Sequence, residues 1–193
     1  MIARMLAQYD AALRAWPLVT KSLSAGMVTM AGDALAQKVM EKREKLDVVR
    51  NARFLLIGTV LTGPSLHFWY GGLAKMLPGV SVASIAGRVL LDQLVFTPIF
   101  FAVFFPLLSY LEGRSVLQMK AELQQIWAPT LVRNWGFWTP VQAINFRFIP
   151  GRYQVLWSNS ASVFWNCYLS TANQAAKVKA DADAQSNKLL KPV

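Results

Sequence analysis

AGRVLLDQLVFTPIFFAVFFPLLSYLEG, from Ala86 to Gly113, is the stretch whose reading decides the fold. No formal charge occurs between Gln93 and Leu111. At about 1.5 Å per helical residue that run is about as long as the hydrocarbon core of a bilayer is thick. Its leading edge nevertheless holds Arg88, Asp92 and Gln93. Residues four apart share a helix face, so Arg88 and Asp92 form a pairable cation and anion at the start of an apparent membrane helix. An ionisable group inside a membrane is costly and marks a candidate functional site. Pro98 and Pro106 lie within the run and argue against a straight helix.

The same pattern extends outward. The chain is 54% hydrophobic and 16% charged, against roughly 25% charged in a soluble domain. Lys and Arg outnumber Asp and Glu by 20 to 10. These cations sit in short hydrophilic breaks such as Lys38–Arg53 rather than in one stripe. That distribution fits anionic headgroups and excludes nucleic acid as the expected partner. One cysteine, Cys167, rules out an internal disulfide.

Residues 1–16 form a basic amphipathic helix, with Ile2, Met5, Leu6, Tyr9, Leu13 and Trp16 at helical spacing. It reads either as a mitochondrial address or as a helix lying on the membrane. Thr20–Met40 is the first and most polar apolar span, with Asp33 and Gln37 on one face. Its small residues Ser22, Gly26, Gly32 and Ala36 are spaced for close helix packing. Phe54–Ala74 is the second span. Within it Gly63 gives a neighbour room and Pro64 removes a backbone donor. His67 reads as a packing histidine or a pH-sensitive gate, and Trp69 and Tyr70 as a membrane-interface belt. The third span is Ala86–Gly113. Ser115–Ala128 reads as an amphipathic interfacial helix, with Lys120, Glu122, Gln124 and Gln125 on its polar side, ended or bent by Pro129. The segment after it is broken by Arg133, Asn134, Pro140, Asn145 and Arg147, and reads as a tilted helix whose polar groups face the bundle. Tyr153–Ala176 is the last span, with a polar seam at Asn159, Ser162 and Asn166.

The expected architecture is therefore all-α: a helical integral membrane bundle with about four transmembrane helices plus amphipathic interfacial helices. Residues 1–16 form the amphipathic helix, residues 17–176 a single bundle domain, and residues 177–193 a polar, loosely held tail. No metal-ligand, nucleotide-binding or nucleophile motif occurs, and the lone histidine cannot build a metal site. Neither an enzyme nor a cofactor is expected.

Six ordered motifs carry a resemblance over most of the chain. They are WP-x-x-T (Trp16–Thr20), GD-x-x-x-Q (Gly32–Gln37), GP-x-x-H-x-WY (Gly63–Tyr70), DQ-x-x-x-x-P (Asp92–Pro98), NW-x-x-W-x-P-x-Q-x-x-NF (Asn134–Phe146) and WN-x-YLS (Trp165–Ser170). The sequence resembles the family of the Mpv-seventeen protein and the 22-kilodalton peroxisomal membrane protein. The resemblance implies an integral membrane protein of mitochondria or peroxisomes with four transmembrane helices, associated with passage of small solutes and with mitochondrial maintenance. It maps a pore-facing acid to Asp92, the cation before it to Arg88, and the conserved-type positions of two further motifs to Asp33 and His67. One departure stands out: Gln154 occupies the position at which the family carries arginine, and a cation lies two residues earlier at Arg152, placed at the membrane interface. The threonine of Trp138–Pro140 resembles the peroxisomal branch, whereas the basic start favours the mitochondrial inner membrane.

Two functions follow as expectations. One is a weakly selective channel lined by Asp92, Arg88, Asp33, Gln37, His67 and Gln93, with Gly63, Pro64, Pro98 and Pro106 shaping the helices. The other is a structural or assembly subunit of a larger mitochondrial membrane complex, its charges paired to fix helix register. The partners are then the lipid bilayer, small solutes, and a homo-oligomer or larger membrane complex.

Overall fold

A computed structural model of the chain describes residues 2–150 and 154–189. The described residues form six helices and no strand. Helix α1 is Ile2–Ala15. Helix α2 is Pro17–Leu35, continued by a π-helical turn at Ala36–Met40. Helix α3 comprises Val48–Ile57, a π turn at Gly58–Thr62, and Gly63–Met76. Helix α4 comprises Val82–Leu91, a π turn at Asp92–Phe96, and Thr97–Leu111. Helices α5 and α6 are Val116–Phe148 and Gln154–Leu189.

Local chemistry sets the boundaries. Pro17 opens α2, where its missing N–H is needed by no intrahelical bond. Asp47 caps α3 by accepting from Arg50 N at 2.9 Å. Ser115 and Gln118 form a reciprocal capping box at the start of α5. α4 ends in a Schellman turn: Arg114 N bonds Ser109 O and Gly113 N bonds Tyr110 O. Gly113 supplies the positive φ of 75° that this turn requires.

Prolines meet two of the π turns. Pro64 and Pro98 each lie two residues beyond the end of one. A proline ring clashes with the carbonyl four residues back and leaves it without a donor. One extra residue in the preceding turn moves that carbonyl aside and lets α3 and α4 continue without breaking. Pro106, Pro129 and Pro140 lie inside uninterrupted helix.

Helices α2 to α6 run alternately up and down, as their short turns dictate. α6 packs between α2 and α5, and α4 packs on α3 and α5. α1 folds back on α2, with the Tyr9 and Ser24 hydroxyls 3.2 Å apart. The apolar core joins Phe54 and Ile57 of α3, Phe101, Phe104, Phe105 and Leu108 of α4, Ile126 and Leu131 of α5, and Trp165 and Leu169 of α6.

The rest of the polarity is inverted. Asp33, Gln37, Arg50, Asp92, Gln93, Glu122, Asn134, Gln142 and Asn145 are all buried. Leu23, Met27, Leu56, Val60, Phe68, Leu94, Ile99, Val103, Val132 and Phe164 are exposed. An apolar exterior on nearly every long helix needs an apolar surrounding. Among the described residues only Val82–Leu111 is both long and apolar enough to cross a membrane by length and composition. The other long helices fall short because polar and charged side chains interrupt their apolar runs.

Two sequence expectations change. Ser115–Ala128 and the broken segment after it are one helix, α5, through Pro129. Glu122, expected on a solvated side, faces the bundle, where Ser109 Oγ donates to it at 2.5 Å. Residues 177–189 of the polar tail continue α6 and are held to the bundle. Lys177 pairs with Glu112, Asp181 accepts from Arg114 at 2.8 Å, and Asp183 accepts from Gln125 at 2.9 Å.

The α2–α3 crossing depends on glycine. A Cβ on Gly63 would lie 2.3 Å from Ser22 Cα, and one on Gly58 would lie 2.7 Å from Gly26 Cα. Backbone cannot yield as a side chain does, so Gly63→Ala is expected to destabilise the fold by about 1–3 kcal/mol. Gly72→Ala, on the same helix with nothing within 4 Å, should be neutral or raise stability by up to about 1 kcal/mol. Thermal unfolding of the two variants in one detergent checks the contrast.

Candidate functional site

The charge-bearing stretch of α4 builds the centre of the molecule. Asp92 and Gln93 are adjacent, and both point into the bundle from the π turn. Asp92 Oδ1 accepts from Trp69 Nε1 at 3.0 Å; Oδ2 accepts from Gln93 Nε2 at 2.8 Å and Gln142 Nε2 at 3.3 Å. Gln93 Oε1 accepts from Asn134 Nδ2 at 2.8 Å, and its backbone oxygen from Trp135 Nε1 at 2.8 Å. Gln142 Nε2 also donates to the Tyr70 hydroxyl at 2.5 Å, and its Oε1 accepts from Asn145 Nδ2 at 3.1 Å. Among the described residues this buried carboxylate is thus held by neutral N–H donors alone. Unpaired burial of such a group would be prohibitive, and donor bonds from amides and indoles meet the need without a cation.

Asp92, Gln93, Asn134 and Gln142 open onto a central cavity of about 100 Å³. All five long helices contribute to its wall. Thr29, Thr62, Ser162 and Asn166 add further polar groups, while Phe96, Phe100, Phe101 and Trp165 supply the apolar sides. Polar groups and room for several waters make such a space wettable.

Asp33 anchors a second buried cluster nearer the end of the bundle formed by the α2–α3 turn. Its Oδ1 lies 2.8 Å from Arg50 Nε, as an ion pair, and accepts from Ser170 Oγ at 2.5 Å. Its Oδ2 accepts from Gln37 Nε2 at 2.8 Å and Asn51 Nδ2 at 3.0 Å. Arg50 also forks onto both oxygens of Glu41 at 2.9 and 2.7 Å. Gln37 closes the turn, its Oε1 accepting from Asp47 N at 2.6 Å. This cluster does not line the central cavity.

A model of the Mpv17 / PMP22 family matches residues 109–170. The chain is 37% identical to peroxisomal membrane protein 2 of Bos taurus, over 87% of this chain and 89% of that protein. It is 37% identical to the protein SYM1 of Gibberella zeae, over 86% of this chain and 95% of that protein. The chain belongs to the Mpv17 / PMP22 family. A third relative, the PXMP2/4 family protein 2 of Dictyostelium discoideum, is 34% identical over 80% of this chain. No solved structure matches. As an Mpv17 / PMP22 family member the chain is an organellar membrane protein, in keeping with the apolar exterior of its bundle.

The expected site residues of this family member separate into groups. Asp92 and Gln93 meet at the cavity. Asp33 and Gln37 meet in the ion-paired cluster. Arg88 joins neither: its guanidinium donates to Leu77 O at 3.0 and 2.7 Å and to Gly79 O at 3.0 Å, closing the turn after α3, and lies 5.9 Å from the centre of the Phe146 ring. The expected Arg88–Asp92 pair is therefore absent, because the free carbonyls at the end of α3 offer a nearer anionic pole. His67 sits apart, with Nδ1 3.4 Å from Lys21 Nζ. Trp69 and Tyr70, expected at the membrane interface, both turn inward, to Asp92 and Gln142. Gly63 and Pro64 lie at the α2–α3 crossing, and Pro98 follows the Asp92 π turn. Arg152 lies outside the described residues. Among those residues no group of His, Cys, Asp and Glu could hold a metal ion.

Sequence reasoning passed over Gln142, Arg50, Asn51 and Ser170 as site residues. A signal existed for part of this set: Asn134, Gln142 and Asn145 sit at spacings that fall on one helix face inside an aromatic segment.

Glu41 lies in the polar turn after α2, and Arg50 holds its carboxyl below the usual glutamate value. A depressed carboxyl contributes stability that is fully present above the unfolded value and is lost as pH falls through the folded one. Acidification below about 4.5 should therefore destabilise the wild type, and Glu41→Gln should flatten that acid limb. Arg50→Met should cost about 3–5 kcal/mol, since it strands Asp33 without its cation. Unfolding midpoints measured from pH 7 down to pH 3 test both.

Proposed function

We propose that the protein is a weakly selective, non-catalytic channel for small polar solutes, with the Asp92 cavity as the central chamber of its path. The observation that carries this reading is a buried carboxylate without a cation, opening onto a polar-lined space shared by five helices. A structural site would be expected to fill that space or to pair the charge. The Asp33 cluster, ion-paired and away from the cavity, supports a positioning role for its end of the bundle.

In this reading α2, α3, α4 and α6 are the four spanning elements, with α6 packed beside α2. The exposed apolar side chains of Leu23, Leu56, Ile99 and Phe164 then meet lipid. The basic amphipathic α1, with Arg4 and Arg14, supports the mitochondrial inner membrane as location. The bovine relative's name favours the peroxisomal membrane as the alternative.

Purified protein in a planar bilayer should conduct with a modest preference for cations, set by Asp92. Asp92→Asn keeps the acceptor oxygen and the size of the side chain while removing the charge. It is expected to lower the cation-to-anion permeability ratio several-fold toward unity. Conductance and selectivity identical to wild type would exclude Asp92 from the path. A folded protein that does not conduct would favour the reading as a subunit of a larger membrane complex.

A further inference from the structure

A second, larger hollow of about 660 Å³ lies on the outside of the bundle, in the groove between α5, α6 and the end of α2. Its floor is a strip of α6 from Phe164 to Lys179, recurring at three and four residues. At about 1.5 Å per residue that strip runs for about 22 Å. Leu35, Val39 and Ile126 give it apolar walls.

Three features point to what it holds. Two exposed cations, Arg133 and Lys179, face the groove, and among the described residues neither has a carboxylate within ion-pairing distance. Arg133 is at mid-height: Trp127 and Trp135 on either side of it bond the backbone of Pro98 and Gln93 in the middle of α4. An outward guanidinium at that depth is costly in lipid. Among the described residues its polar partner is Tyr168, through a 3.3 Å bond to the hydroxyl and with the ring centre 5.8 Å away. Thr130 lines the groove one turn from Arg133, is 1% exposed, and its Oγ1 has no hydrogen-bond partner among the described residues. Asp183, one helical turn beyond Lys179, accepts from Gln125 Nε2 at 2.9 Å.

We propose that this groove is a binding site for an anionic phospholipid. Its phosphate lies at the Lys179 end, level with the ion pairs that close the bundle. One acyl chain lies along the α6 strip toward Phe164. Thr130 Oγ1 donates to an ester carbonyl, and the Arg133 stem follows the chain while its charge turns toward the headgroup. The volume falls in the range of pockets that enclose a small ligand. The two cations and the absence of a free facing carboxylate select for negative charge.

The test uses the full chain in detergent micelles doped with equal mole fractions of dioleoylphosphatidylglycerol or dioleoylphosphatidylcholine. Native mass spectrometry counts the lipid retained, and tryptophan fluorescence follows unfolding. Phosphatidylglycerol should be retained in preference and should raise the melting temperature. The Arg133→Gln/Lys179→Gln double variant should lose that preference, about fivefold for each charge removed. Its melting in phosphatidylcholine micelles should stay at the wild-type value. Ala175→Trp, which fills the strip, should reduce retention of both lipids. Equal retention of the two lipids by wild type, or undiminished preference in the double variant, overturns the proposal. So does a lipid-free dimer abolished by Ala175→Trp, which would assign the groove to a second copy of the chain.

Discussion

Inside a membrane a polar side chain cannot fall back on water, and the arrangement of this bundle follows from that constraint. Each inward charge has its own answer. Asp33 receives a guanidinium, a hydroxyl and two amides. Glu122 receives Ser109 and Arg114. Asp92 receives an indole and two amides. The helices are drawn together at the points where these bonds form, and Gly26, Gly58 and Gly63 allow α2 and α3 to approach closely enough to make them. The stabilising work is done by packing and by polar satisfaction, because apolar contact gains little against lipid tails.

The π turn at Asp92–Phe96 ties backbone to chemistry. Pro98 prevents a regular α-helical bond in this part of α4, and the added residue absorbs the defect. The same turn places Asp92 and Gln93 side by side toward the cavity. It also leaves Asp92 O to accept from Thr97 Oγ1 at 2.9 Å. A backbone irregularity forced by proline thus becomes the place where two polar side chains enter the core together.

The helical class was legible because Ala86–Gly113 is unbroken by charge and the other runs are too long and unalternating for strands. The helix ends were legible from Pro17 and the Glu112–Arg114 turn. The partners of the charges were not. Arg88 and Asp92 lie one helical turn apart, and spacing alone joins them. The carbonyls of Leu77 and Gly79, brought back by a turn, outcompete that pairing. Glu122 sits among Lys120, Gln124 and Gln125 and reads as solvated, yet the Schellman turn delivers Arg114 and α4 delivers Ser109 to it. Asp33, Arg50 and Ser170 belong to three helices, and only the packing of α6 on α2 unites them. Local pattern reports a face; it does not report which neighbour occupies that face.

The two acidic centres also differ in what their surroundings permit. Around Asp33, every carboxylate oxygen is taken and Arg50 is locked between two acids, so moving any member strands a charge. Around Asp92 the donors are uncharged and rotatable, and the adjoining space can admit water. Replacing one neutral donor by water costs far less than separating an ion pair. A bundle with one rigid, ion-paired end and one softly held carboxylate at its centre can rearrange locally at Asp92 without loosening its frame. That difference in stiffness, built from amides in one place and a guanidinium in the other, supports the proposal that the central cavity exchanges its contents.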